Sequence, residues 1–90
     1  MKLHWTGKVI LDLSRLHDFL AEKNPAAAAR AVQALARAPE RLKEFPRLGS
    51  RLEQFDGEVR RLVVANYEIR YELQDETASI LGIWHGREDR

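Results

Sequence analysis

The spacing of apolar residues in this chain changes from a period near 3.6 in its first half to a period of 2 in its second, and few folds accommodate both. Between Lys8 and Lys23, the apolar residues Val9, Ile10, Leu13, Leu16, Phe19 and Leu20 recur at intervals of three and four, which predicts an amphipathic helix. Asp12, Arg15, Asp18 and Glu22 fall on its other side. Asn24-Pro25 then supplies an N-cap and a proline at the first helical position, where the missing N–H costs nothing. The second helix opens on four alanines and continues through Ala31, Val32, Leu35, Ala38, Leu42 and Phe45. Pro39 interrupts this stripe and removes a backbone hydrogen bond, so a kink or break is expected near Ala38, and Pro46 and Gly49 end the element. Two helices joined by so short a link form an antiparallel hairpin.

The strand signals lie on either side of that hairpin. Leu3 to Thr6 reads as a short first strand closed by Gly7, and Ser50 to Gly57 reads as irregular. Glu58 to Ala65 is rich in valine and leucine. Tyr67, Ile69, Tyr71 and Leu73 then alternate with Glu68, Arg70 and Glu72, which predicts a half-buried strand with a solvated charged face. Ala65-Asn66 is a hairpin connection in which asparagine would supply positive φ, and Gln74 to Thr77 forms a second turn before Ala78 to His85. The expected fold is α+β in the order β-α-α-β-β-β, with a short N-terminal strand and a helical hairpin packed on a small antiparallel sheet. One domain spans residues 1–90, a length that buries roughly 60 to 65 % of the unfolded surface and allows one core.

Fifteen basic and fourteen acidic residues leave a net charge of +1, so the whole molecule does not carry a nucleic-acid binder's excess charge. The charges are polarised: Arg30 to Arg51 holds a local excess of four positive charges, whereas Arg61 onward carries a net charge of −2. With no cysteine there is neither a disulfide framework nor a thiol nucleophile. The N-terminus lacks a secretory h-region and no apolar run is long enough to span a membrane, so a cytoplasmic protein is expected. Phosphate-binding glycine loops, GxSxG, HExxH and dinucleotide fingerprints are all missing, and His4, His17 and His85 lack metal-site spacing. No metal or cofactor is expected.

The candidate functional residues lie late in the chain. Arg60 and Arg61 point to opposite faces of one strand, so one must pair against the apolar layer while the other can bind an anion. Glu68 and Glu72 flank Arg70 on what reads as a solvated face. The stretch Ile83-Trp84-His85-Gly86-Arg87 combines an aromatic ring, an imidazole and an arginine beside a glycine, which are tools for base or phosphate contact.

In their order along the chain, these pieces resemble the RelE/ParE toxins of bacterial toxin–antitoxin systems, and the ParE branch, linked to plasmid stabilisation, above the RNA-cleaving one. The matching residues are Trp5, Asp12-Leu13, Asn24-Pro25, then Leu42, Pro46 and Gly49, Val59-Arg60, Tyr67-Glu68-Ile69-Arg70-Tyr71 and Ile80 to Arg87. The resemblance implies a growth-inhibiting toxin that poisons DNA gyrase and is neutralised by a ParD-like antitoxin in a hetero-oligomer, meeting operator DNA only through that antitoxin. Target contact would fall to Arg60, Arg61, Trp84, His85 and Arg87, and antitoxin contact to Leu16, Phe19, Leu20, Arg30, Arg37 and Arg41. The alternatives are a RelE-like ribosome-dependent mRNA endonuclease using Arg61, His85 and Arg87, or an inactive homologue that only binds antitoxin. Against cleavage stand Glu68, where RNA-cleaving members usually place arginine, and a chain that stops three residues after Arg87, leaving no room for their C-terminal tyrosine.

Overall fold

A computed structural model describes residues 1–85. Strand β1 (Lys2–Trp5) leads into helix α1 (Gly7–Ala21), and α1 is followed by helix α2 (Pro25–Arg37). A 3₁₀ segment (Ala38–Lys43) continues the chain to β2 (Ser50–Arg51), β3 (Glu58–Val64), β4 (Tyr67–Gln74) and β5 (Thr77–His85). The α+β class and the helical hairpin on a sheet are as expected.

Local chemistry sets the helix ends. Thr6 caps α1 by accepting from the Val9 N–H at 3.3 Å, and its hydroxyl donates to the Ile80 carbonyl at 2.8 Å, tying the helix start to β5. Gly7, expected to close the first strand, is instead the first residue of α1. Asn24 Oδ1 accepts from the Ala27 N–H at 3.1 Å, with Pro25 at the first position of α2 as the sequence indicated. The break near Ala38 takes the form of a change from α to 3₁₀ winding over Pro39.

The sheet has five strands in the order β1-β5-β4-β3-β2. Strands β3, β4 and β5 form the expected antiparallel meander, but β1 pairs in parallel with β5, from Lys2 opposite Thr77 to Trp5 opposite Ile80. The sheet is therefore mixed, and the stretch expected to be irregular contributes the two-residue edge strand β2. In the β3–β4 turn the positive φ of 54° belongs to Ala65, not to Asn66, while Asp75 and Glu76 both take positive φ in the β4–β5 turn.

Val9, Leu35, Leu42, Ile69, Tyr71, Ala78, Ile80 and Ile83 form the core between the helical layer and one face of the sheet. Tyr71 is fully buried, yet its hydroxyl is satisfied twice, accepting from the Gly49 N–H at 2.9 Å and donating to the Pro46 carbonyl at 2.8 Å. Burial raises its pKa above the ordinary tyrosine value. Gly49 admits no side chain, because a Cβ there would stand 2.4 Å from the Arg61 carbonyl oxygen. Arg60 completes the clamp by donating to the Gly49 carbonyl at 2.7 Å while it pairs with Glu58 at 2.9 Å. Tyr71→Phe should cost about 1–3 kcal/mol of unfolding free energy, because it strands both loop groups without changing side-chain volume appreciably. Urea denaturation of the two proteins measures the difference.

Candidate functional site

Strand β1 covers β5 only as far as Ile80, and beyond it no described strand pairs with that edge. Helix α1 takes its place. Asp12 Oδ2 accepts from the backbone N–H of Ile83 at 3.3 Å, so a carboxylate satisfies the edge group that a further strand would have taken. The same carboxylate is paired with Lys8 Nζ at 2.8 Å through Oδ2 and with Arg15 Nη2 at 2.8 Å through Oδ1. Periodicity placed Asp12 on the outer side of the helix, but it is only 7 % exposed. Its position follows from the spacing with Val9 and Leu16, which puts residue 12 on the sheet-facing stripe. Burial by itself would raise the Asp12 pKa, but the hydrogen bonds from Lys8, Ile83 and Arg15 outweigh it and hold the group below its ordinary value.

A register shift at Arg70/Tyr71 governs the end of β5. Tyr71 lies opposite Ile80 and Arg70 opposite Gly82, which leaves Leu81 as an extra residue in β5. Strict alternation would put Ile80 and Trp84 on the same face. With the bulge, Ile80 and Ile83 both enter the core, and Trp84 turns to the open face of the sheet beside Arg70. Lys8 Nζ and the Arg70 guanidinium each lie 4.9 Å from the Trp84 ring centroid, within cation–π range. Gly82 is required beneath that ring, since a Cβ there would come within 2.5 Å of it.

Glu68 sits on this open face as well, expected in solvent but buried. Arg70 Nε pairs with it at 2.8 Å and Arg61 Nη1 at 3.5 Å. His85 points the other way and meets Tyr67 edge-on, with 5.2 Å between ring centroids. Around the uncovered edge, Lys8, Asp12, Arg15, Leu16, Phe19, Tyr67, Ile83, Trp84 and His85 line a groove of about 440 Å³.

The expected target-contact residues are brought together only in part. Arg61 and Trp84 share the open face, Trp84 also reaches the groove that His85 lines from the helix side, and Arg60 is held at the Gly49 loop by its hydrogen bond to the Gly49 carbonyl. Arg87 lies outside the described residues. Among the residues expected at an antitoxin surface, Phe19 is 64 % exposed and lines the groove beside the half-buried Leu16, while Leu20 is also half-buried. Arg30, Arg37 and Arg41 are exposed on the hairpin and the 3₁₀ segment. Sequence reasoning passed over Lys8, Arg15 and the exposed Leu11, and it placed Ile10 on the buried stripe, where the structure exposes it. Among the described residues no three His, Cys, Asp or Glu side chains gather as a metal site, and no described helix is long and apolar enough to cross a membrane.

Residues 3–90 match the family model described as the ParE toxin of type II toxin–antitoxin system, parDE. Toxin RelE2 of Caulobacter vibrioides is 35 % identical over 81 residues, covering 90 % of each chain. Toxin RelE1 of the same organism is 35 % identical over 80 residues, covering 88 % of this chain and 86 % of that toxin. A chain from a solved structure entitled "Chromosomal ParDE TA system from P. aeruginosa" superposes with a TM-score of 0.80 at 25 % identity, covering 94 % of this chain and 95 % of the other.

Asp12→Asn tests the anchor of the groove. Because the folded-state pKa of Asp12 is depressed, its contribution is present above the ordinary carboxylate value of 3.8 and is lost as pH falls through the lower folded value. The substitution should cost about 1–2 kcal/mol at neutral pH, a figure kept low because Lys8 and Arg15 are largely solvent-exposed. The gap between the two proteins should narrow in acid, as measured by denaturant unfolding on both sides of that pH.

Proposed function

We propose that this chain, which belongs to the ParE toxin family of type II toxin–antitoxin systems, arrests growth by binding DNA gyrase rather than by cutting RNA. One observation carries the choice. RNA cleavage needs a group to activate the 2′-hydroxyl and cations to stabilise the phosphate, all converging on one reacting centre. Here Arg61 lies on the open face of the sheet, while the His85 imidazole packs against Tyr67 on the helix side. What the open face offers is a tryptophan ring flanked by Lys8 and Arg70, the kind of anchored aromatic that dominates protein–protein binding. Trp84 is the leading target-contact residue, with Arg61 beside it.

The antitoxin is a ParD-like protein that forms a hetero-oligomer with the toxin. Its binding segment would lay apolar side chains against Ile10, Leu11 and Phe19 and acidic ones near Arg30, Arg37 and Arg41. Such a segment would also enter the β5-edge groove past Phe19 and Leu16.

A RelE-like activity is the second reading, favoured by the names of the two Caulobacter vibrioides relatives and by a groove that places His85 with Lys8 and Arg15. Titration of the purified chain into a gyrase assay, following supercoiling and trapped double-strand cleavage, separates the readings. Inhibition is expected, and Trp84→Ala should weaken it about tenfold or more. Untouched gyrase at large molar excess, with growth still arrested in cells, would reject the gyrase reading and direct attention to cleaved messenger RNA. Unaffected growth on expression without antitoxin would mark an inactive homologue.

A further inference from the structure

Arg61 of β3 and Arg70 of β4 are direct cross-strand partners on the open face, and both guanidinium groups turn toward Glu68. Arg70 Nε meets Oε2 at 2.8 Å and Arg61 Nη1 meets Oε1 at 3.5 Å, so one carboxylate offers a separate oxygen to each of two cations. Two guanidinium groups around paired anionic oxygens are also the arrangement that grips a phosphodiester. The Glu68 side chain is 5 % exposed while that of Arg61 is 47 % exposed, so the cations reach solvent above a carboxylate that does not. Beside them, Trp84 supplies a ring on which a base could stack. This sheet face thus holds the cations and the aromatic of a single-strand binder, with an internal anion already in place.

We propose that Glu68 is the specificity-determining residue of this face: its carboxylate occupies the anion site formed by Arg61 and Arg70 and keeps nucleic-acid phosphates from it. The inference rests on the reading that the target is a protein. A phosphate brought to the same guanidinium groups would meet a buried negative charge fixed near the start of β4, and the repulsion is strong where water does not screen it. Arg61 and Arg70, half-neutralised, remain able to form polar contacts with a protein partner without gathering RNA.

The test is anisotropy of a short labelled single-stranded RNA titrated with the intact chain at low salt. The wild type should bind weakly. Glu68→Gln keeps the side chain's shape and removes its charge, so it should bind roughly tenfold tighter or more, with a steeper loss of affinity as salt rises. The gain should vanish when Arg61→Ala is added. A Glu68→Gln protein that is folded by circular dichroism yet binds no tighter, or whose gain survives Arg61→Ala, would overturn the proposal. If Glu68→Gln does not fold, Arg61→Ala in the wild type decides. RNA binding should stay within about twofold, and a several-fold loss would mean that Arg61 engages phosphate with Glu68 present. Gyrase inhibition by the wild type is read separately, so it can survive a failed RNA gain.

Discussion

The carboxylate of Asp12 is the point on which the functional end of this molecule depends. Strand β1 pairs with β5 only as far as Ile80, so five of the nine β5 residues, Leu81 to His85, have no strand partner on that edge among the described residues, and an open edge must be covered or it recruits another chain. A helix cannot complete a strand's hydrogen bonds with its backbone, whose groups are used within the helix. A side-chain acceptor can, and Asp12 does so for Ile83. The same contact fixes the approach of α1 to the sheet, holds Lys8 near Trp84, and shapes the groove between Phe19 and His85. Thr6 makes the matching tie at the start of α1 through the Ile80 carbonyl.

Much of the fold was legible because it follows from local rules. The change of period separates helices from strands, Asn24-Pro25 starts α2, and Pro39 ends its α-helical winding. What escaped the sequence depends on partners distant along the chain. The direction of β1 cannot be read from four residues, since a strand that short has no pattern distinguishing parallel from antiparallel pairing. Asp12 reads as an outward acid until Ile83, 71 residues away, supplies its N–H. Ala65 takes the left-handed conformation beside an asparagine better suited to it, so the turn is dictated by strand twist over residue preference. Tyr71 shows the opposite case: its inward position was evident from alternation, while its grip on Pro46 and Gly49 was not.

The site was legible in composition but not in arrangement. Arg61, Trp84 and His85 were identified from residue type, and an uninterrupted alternation along β5 would have assigned the faces of Trp84 and His85 wrongly. The bulge at Leu81 corrects that assignment, because one extra residue in β5 exchanges inward and outward positions for everything after it. A tryptophan that would have entered the core reaches the open face, and the core receives Ile83 instead. The sheet then needs Gly82 to let the ring lie flat, so two sequence features three residues apart, Leu81 and Trp84, make sense only together.

Asp12 and Glu68, the two acids buried among the described residues, each pair there with two cations, so part of the basic charge around the end of β5 is offset inside the fold. Lys8, Arg15, Arg61 and Arg70 surround the end of β5, a density that on an unpaired surface would draw nucleic acid by counterion release. Paired with buried carboxylates, they keep direction and hydrogen-bonding capacity while losing much of their long-range field. On the proposed gyrase reading, recognition by such a surface depends on close fit and on the fixed geometry of its donors. The exposed arginines of the hairpin, Arg30, Arg37 and Arg41, are differently placed: they carry no ion pair among the described residues and retain their field. The molecule therefore separates exposed, unpaired basic residues on the hairpin from ion-paired cations around the end of β5, the division on which the proposed antitoxin and target surfaces rest.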